Sequence, residues 1–267
     1  MSEPLLPKLH PFLNGSLKED LSDENLVYAA KTESTNDLAA TLARSLNRPA
    51  FVVVAAGEQT AGRGRRGDLW ESPPERDLLF SIAIPLEASP ELWPRLPHIV
   101  AHRVGEAIEK VVGPGLTIQS KWPNDLWVGG KKISGILIEM VSTPTNIAIV
   151  GCGVNVNSTV IDRSPSLAET STSLYSEVGC ETNRWVLLAE ILNGLIPAYQ
   201  MDLVEFAETR SWQHERSALF GRQVLAHTSV GVQEGRAIEP GPNGELRLQT
   251  QAGEIVTVIS AEMVRLI

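Results

Sequence analysis

Two short apolar runs, Phe51 to Ala56 (FVVVAA) and Leu78 to Ile84 (LLFSIAI), flank a segment that neither a helix nor a strand can hold. The runs are rich in β-branched and aliphatic residues and read as buried strands. From Gly57 to Pro74 the chain is too rich in Gly, Arg and Pro for regular structure, so it reads as a loop. Gly62, Gly64 and Gly67 spell G-x-G-x-x-G after a strand, which would suggest a dinucleotide fold. That fold requires the turn to run straight into a helix whose N-terminus holds a pyrophosphate. Here Asp68-Leu69-Trp70-Glu71-Ser72 leads into Pro73-Pro74, and paired prolines do not continue a helix. Arg63, Arg65 and Arg66 crowd the positions between the glycines. Two readings stay open. One is a loop that closes over an anionic ligand, with glycines allowing close backbone approach and guanidinium forks binding phosphate or carboxylate. The other is a solvated basic loop.

The rest of the chain predicts an α+β protein. Residues 1–24 are polar and Pro-rich and read as an arm or irregular lead-in, with no room for a helix-turn-helix domain. Ser34-Thr35-Asn36-Asp37 are N-cap types, and Leu38, Leu42 and Leu46 follow at helical spacing. Leu96 to Val112 is an amphipathic helix stopped by Gly113-Pro114, and Leu116 to Lys121 is a strand. Gly129-Gly130 links Asp125–Val128 to Lys131–Val141 as a hairpin, and a second hairpin turns at Thr143-Pro144 into Ile147–Val156. Trp185 to Thr209 reads as one long helix. After about Glu215, short strand-like pieces punctuated by Gly221, Gly231, Gly235 and Pro242-Asn243-Gly244 predict a small antiparallel barrel. The expected division is an arm over 1–24, a main domain over 25–215 and a C-terminal module over 216–267.

Charge and cysteine content narrow the function. A net charge of −9 argues against generic nucleic-acid binding through overall charge. Cys152 and Cys180 fit no metal spacing and no disulfide framework, which points to a reducing cytoplasm. The N-terminus has no basic-then-apolar signal pattern, and no run approaches the roughly 18 apolar residues needed to span a membrane.

Three further segments carry polar groups at strand ends. Lys121-Trp122-Pro123-Asn124-Asp125 places a lysine, a rigid corner and two polar side chains together, which suits a fixed site, although standing alone the segment reads more readily as a common Pro-Asn-Asp turn. Lys131 and Lys132 follow a hairpin turn, where paired lysines are usually solvated, and Gly135, four residues after Lys131, is unusual inside a strand and points to close ligand approach. Gly151-Cys152-Gly153-Val154-Asn155-Val156-Asn157 ends a strand with glycines that admit a packed partner, or is simply a bulged end.

Taken together, Ser34 to Asp37, Gln59 to Gly67 with Trp70, Lys121 to Asp125, Lys132 with Gly135-Ile136-Leu137-Ile138-Glu139, and Gly151 to Asn157 resemble the biotin–protein ligase family in order and spacing. Each piece alone is unspecific. The resemblance runs from about residue 27 to the C-terminus. It implies a central mixed sheet flanked by helices, of the class II aminoacyl-tRNA synthetase/biotin ligase type, with a C-terminal SH3-like barrel. It implies that Ser34, Thr35, Asn36 and Gln59 bind biotin's ureido end. Gly62, Arg63, Gly64 and Arg65 would lie on the loop that orders over biotin and the adenylate. Lys132 would reach the activated carboxyl, with Gly135, Gly151 and Gly153 lining the biotin cleft. For ATP it implies Arg63, Arg65, Arg66, Trp70, Lys121, Asn124 and Asn155, with Trp70 stacking on adenine. Lys121, Lys132, Arg65 and Asp125 are the catalytic candidates, and Asp125 is equally a turn-capping residue. The family loop commonly carries another arginine where this chain has Asp68, which puts a triphosphate contact there in doubt.

The implied chemistry joins biotin's carboxylate to the α-phosphate of ATP, with Mg²⁺ and no metal held by the protein. A lysine of a biotin carboxyl carrier protein, the subunit of acetyl-CoA carboxylase or a similar carboxylase, then takes the biotinyl group. No DNA and no membrane partner is expected, and a homodimer is an open expectation. Two alternatives remain: a lipoate–protein ligase, which shares fold and adenylate chemistry, and a biotin-responsive repressor.

Overall fold

The structure, a computed structural model, describes residues 2–46, 50–142 and 145–267. In chain order the elements are β1 (Ser2–Pro4), α1 (Leu6–Leu9), α2 (Gly15–Asp20), β2 (Leu26–Ala29), α3 (Thr35–Ser45) and β3 (Val52–Ala56). There follow β4 (Leu78–Pro85), α4 (Leu96–Val112), β5 (Gln119–Lys121), β6 (Asp125–Val128), β7 (Lys131–Ser142) and β8 (Asn146–Val154). The chain continues through α5 (Pro165–Thr170), α6 (Leu174–Val178), α7 (Arg184–Glu205) and α8 (Ala207–Arg216). It ends with β9 (Gln223–Thr228), β10 (Gly231–Pro240), β11 (Leu246–Gln249), β12 (Ile255–Val258) and β13 (Met263–Leu266).

The first eight strands form one sheet in the order β1-β2-β3-β4-β8-β7-β6-β5. Only β2 and β3 in it run parallel, so the sheet is mixed, as expected. Strand alternation divides its residues between two cores. Val53, Ala55, Ile82, Ile84, Ala148 and Val150 pack on the side of α4 and α7. Val52, Val54, Ala83, Ile147 and Ile149 pack on the other side, against Ala39 and Ala43 of α3. Counting on by twos, Ser81, Gly135, Leu137, Glu139, Gly151 and Gly153 lie on the α3 side of the sheet. There the helix begins and its cover gives out.

The remaining strands form an antiparallel sheet in the order β12-β11-β10-β9-β13, with its own core of Val224, Ala226, Leu246, Leu248 and Val264. Trp122 belongs to that core, and its indole Nε1 donates to the Gly244 carbonyl at 2.8 Å. The Lys121–Asp125 corner is thereby pinned to the second sheet. Among the described residues, no helix is long and apolar enough to cross a membrane.

Two segments differ from expectation. Within residues 1–24, β1 pairs with β2, and Leu5, Leu9, Leu13, Leu17 and Leu21 are buried in the main core. Those leucines recur at helical spacing, a pattern that Pro7 and Pro11 obscure. The long helix expected over Trp185–Thr209 is two helices. Phe206, at φ 50°, turns α7 into α8 and is held there by burial and by the Arg95 guanidinium over its ring. No glycine marks the break. The turn at Thr143-Pro144 lies outside the described residues, although Ser142 and Asn146 pair on either side of it.

Candidate active site

The uncovered part of the sheet is a floor made of glycine. Gly135 and Gly153 are register partners on β7 and β8, and Gly151 stands two residues from Gly153. A Cβ on Gly151 would sit 2.2 Å from Asn36 Oδ1, and one on Gly153 would sit 2.4 Å from the Trp70 indole. Only glycine admits both neighbours.

At one end of the floor the start of α3 presents a polar cluster. Ser34 caps the helix with its backbone and makes no side-chain cap bond, which leaves its buried hydroxyl facing the cleft. Gln59 Oε1 accepts from the Thr35 amide at 2.7 Å and from its hydroxyl at 3.0 Å. The Ser81 hydroxyl donates to Asn36 Oδ1 at 2.6 Å, and Asn36 Nδ2 donates to Glu139 Oε2 at 2.6 Å. Every polar atom that orients Asn36 is thus fixed. Ser81, which no motif contained, and Glu139, which the Gly135–Glu139 segment contained without a role, are positioning groups. The signal for Ser81 is a fully buried hydroxyl inside an otherwise apolar strand.

At the other end the cations gather. The β6–β7 pairing skips Ile133, which bulges into the core, so Lys132 stands on the same side as Gly135, three residues away. Lys132 Nζ lies 2.7 Å from Asp125 Oδ1, and Asp125 is the register partner of both Lys121 and Gly135. Burial lowers the Lys121 ammonium from its ordinary range; Asp125 opposes this, while Lys132 and Arg65 reinforce it. Asn124 Nδ2 donates to the Ile136 carbonyl at 2.6 Å, turning the carboxamide oxygen toward Arg65 at 3.4 Å.

The Gly-Arg loop roofs this floor, and each arginine is held by a different part of the chain. Arg63 makes a two-pronged bond to the Asp37 carboxylate, at 2.7 and 2.8 Å, and reaches Glu139 at 3.4 Å. Arg63 holds the Asp37 carboxyl below its usual range. Arg65 donates to the Ala261 carbonyl of the second sheet at 3.0 Å, and Arg66 stands 4.0 Å from Glu262. Trp70 lies over Gly135 and Gly153 with Lys132 Nζ 5.5 Å from its ring centroid; its Nε1 is buried with no partner among the described residues.

The result is two clefts sharing a wall of Gly64, Arg65, Trp70, Asn124 and Lys132. The narrow one runs over the glycine floor to Ser34, Thr35, Asn36, Gln59 and Arg63. The wide one opens toward Lys121, Asp125, Asn155, Arg66, Arg163 and the β12–β13 connection. Asn155 is buried there with its amide on the Thr172 carbonyl at 2.8 Å. Gly62 is the expected binding residue that lines neither cleft: its carbonyl accepts the Trp70 amide at 2.9 Å and shapes the loop. Lys131 is exposed. The Cys152 thiol is pushed up to about 12 by burial, so it is no nucleophile. Among the described residues, the His/Glu cluster close enough to share an ion, His102, Glu106 and Glu208, lies on α4 and α8 and lines neither cleft. Arg103 already bridges its two carboxylates.

The arrangement presents hydroxyl and amide groups at one end and clustered cations at the other. Residues 28–157 match the model of the biotin/lipoate A/B protein ligase family. The chain is 31% identical over 250 residues to a bifunctional ligase/repressor of Bacillus spizizenii, covering 92% of this chain and 76% of that one. It is 32% identical over 232 residues to a biotin–[acetyl-CoA-carboxylase] ligase of Paracoccus denitrificans, covering 85% and 95%. The biotin protein ligase of Aquifex aeolicus, solved in complex with biotin and ATP, superposes with a TM-score of 0.76 at 25% identity, covering 90% and 97%.

Proposed function

Because the chain belongs to the biotin–protein ligase family, we infer that it activates biotin with ATP as biotinyl-5′-AMP and transfers the biotinyl group to a lysine of a biotin-carrying protein. The observation that carries this is the polarity of the narrow cleft. Uncharged donors and acceptors on Ser34, Thr35, Asn36 and Gln59 suit biotin's ureido ring, and Lys132 waits at the end where its carboxylate would lie.

In the first half-reaction a carboxylate oxygen attacks the α-phosphorus, and the bond to the β-phosphate oxygen breaks to release pyrophosphate. Carboxylate and triphosphate repel, so the gain comes from fixed positive charge where negative charge builds. Lys132, Lys121 and Arg65 supply it, with Asp125 holding the Lys132 ammonium in place. ATP enters as its Mg²⁺ complex. The carboxylates lining the wide cleft are Asp68, Glu71, Asp125 and Glu262, of which Asp125 and Glu262 already face cations. In the second half-reaction a neutral lysine amine attacks the acyl carbon, AMP leaves and the amine loses a proton. Asp125, the carboxylate paired with Lys132, orients or deprotonates that amine. Trp70 and Asn155 face the nucleoside, and the Gly-Arg loop closes over both ligands. The carrier we propose is the biotin carboxyl carrier subunit of acetyl-CoA carboxylase or a similar carboxylase, met in the cytoplasm. Duplex DNA is not proposed as a partner, because a net charge of −9 gives it no general attraction.

The test separates biotin from lipoate. Pyrophosphate release with ATP and Mg²⁺ should require biotin and should not respond to lipoate at the same concentration. Release with lipoate alone would place the chain with lipoate ligases.

A further inference from the structure

The wide cleft holds a cation that no motif assigned. Arg163 follows the turn Val160–Asp162 and lines the cleft with Lys121, Lys132 and Asp68. Of the other cations there, Lys132 is committed to Asp125 at 2.7 Å, Arg66 to Glu262 at 4.0 Å and Arg65 to the Ala261 carbonyl at 3.0 Å, while Lys121 stands opposite Asp125 in the strand register. Arg163 is not so committed. Its Nη2 donates to Ser158 Oγ at 2.9 Å, while Nη1 is shut away from solvent with no acceptor among the described residues.

The acids nearest Arg163 are occupied. Asp162 takes the amide and hydroxyl of Thr159, at 2.7 and 2.8 Å, in a capping box. Asp77 takes the amides of Val156 and Ser158, at 2.8 and 3.1 Å, and the Ser72 hydroxyl. A guanidinium keeps its charge at any burial, and a buried N–H with no acceptor is unfavourable until something accepts from it. A phosphate has the geometry to take two such N–H groups at once. Asp68 lines the same cleft and adds negative charge that a bound triphosphate would meet. A further cation lining the cleft offsets that charge.

We propose that Arg163 binds the β- and γ-phosphates of ATP, and the pyrophosphate they become. This rests on the ligase reading above and deepens it: the residue serves adenylate formation and not transfer. Biotinyl-5′-AMP carries no β- or γ-phosphate, so the two half-reactions separate the role from a structural one.

The test uses the full chain, Arg163→Gln and Arg163→Lys. One assay is biotin-dependent exchange of labelled pyrophosphate into ATP. The other is transfer to a carrier domain from presynthesised biotinyl-5′-AMP without ATP. Arg163→Gln should raise the ATP and pyrophosphate concentrations for half-maximal exchange on the order of tenfold or more, the weight of hydrogen bonds to a charged group. The biotin dependence should stay put, the loss of transfer should be far smaller, and Arg163→Lys should recover part of the exchange. Wild-type ATP and pyrophosphate dependence in Arg163→Gln overturns the assignment. So does an equal loss in both assays, which would mark a structural or base-contacting residue. Absence of exchange in the wild-type chain would instead overturn the ligase reading, and this assignment with it.

Discussion

Replacing Lys132 by alanine should stop adenylate formation and spare the fold. The ammonium sits 2.7 Å from Asp125, with side chains 34% and 15% exposed, so the pair is wet enough to add at most about 1 kcal/mol to stability. Its removal does not strand the carboxylate, because Lys121 stands opposite Asp125 in the strand register. The backbone is also unaffected, since the Lys132 carbonyl, not its side chain, takes the Thr172 amide at 2.8 Å. Catalysis has no such reserve. Removing one donor aimed at developing negative charge costs about 2–4 kcal/mol of transition-state stabilisation. That corresponds to a rate loss of about 30- to 1000-fold. The assay is single-turnover pyrophosphate release with saturating biotin and ATP, alongside thermal unfolding of both proteins. Release within about threefold of wild type, well below any such loss, would refute the assignment of Lys132 to the reacting carboxyl and α-phosphate. A collapsed melting transition would refute the claim that its role is catalytic.

Three more outcomes follow from the geometry. Gly151→Ala places a methyl 2.2 Å from Asn36 Oδ1, which Ser81 holds; calorimetric titration should show biotin binding weakened at least about tenfold, and wild-type affinity would contradict the floor. His98 is fully buried against Gly244, with its ordinary value of 6.5 pulled to about 4 by burial and only partly restored by Glu245. The unfolded chain therefore binds this proton first. Stability from the neutral imidazole is intact above 6.5 and is lost as pH falls toward 4, by up to about 1.4 kcal/mol per pH unit. Urea unfolding of wild type and His98→Gln across that window checks it, and parallel pH slopes would contradict it. Protease cleavage within residues 59–70 should slow when biotin and ATP are present together, as the loop's arginines exchange Asp37 and the Ala261 carbonyl for ligand oxygens. Equal cleavage with and without ligands would mean that the loop does not close.

Much of the site was legible because its demands are local. Glycines at Gly135, Gly151 and Gly153 are needed where side chains from elsewhere touch backbone. Lysines at strand ends and the Gly-Arg loop carry their chemistry in residue type. The remainder depended on long-range packing. The Ile133 bulge, which turns Lys132 onto the floor, is set by what fills the core and not by neighbours in sequence. Arg163 and the Ala261–Glu262 turn enter the wide cleft from parts of the chain with no motif. Phe206 breaks a helix with a residue that ordinarily avoids positive φ, and what holds it there, burial and the Arg95 guanidinium over its ring, comes from distant parts of the chain. Leu5, Leu9, Leu13, Leu17 and Leu21 recur every fourth residue, but Pro7 and Pro11 interrupt the pattern, and the core that buries them comes from distant parts of the chain.

The central claim is tested most directly by incubating the chain with biotin, ATP, Mg²⁺ and a biotin carboxyl carrier domain, then weighing the carrier intact. The expected result is a gain of one biotinyl group on one lysine, absent when ATP or biotin is left out and abolished when that lysine is replaced. An unchanged carrier mass with biotin, alongside a gain with lipoate, would contradict it.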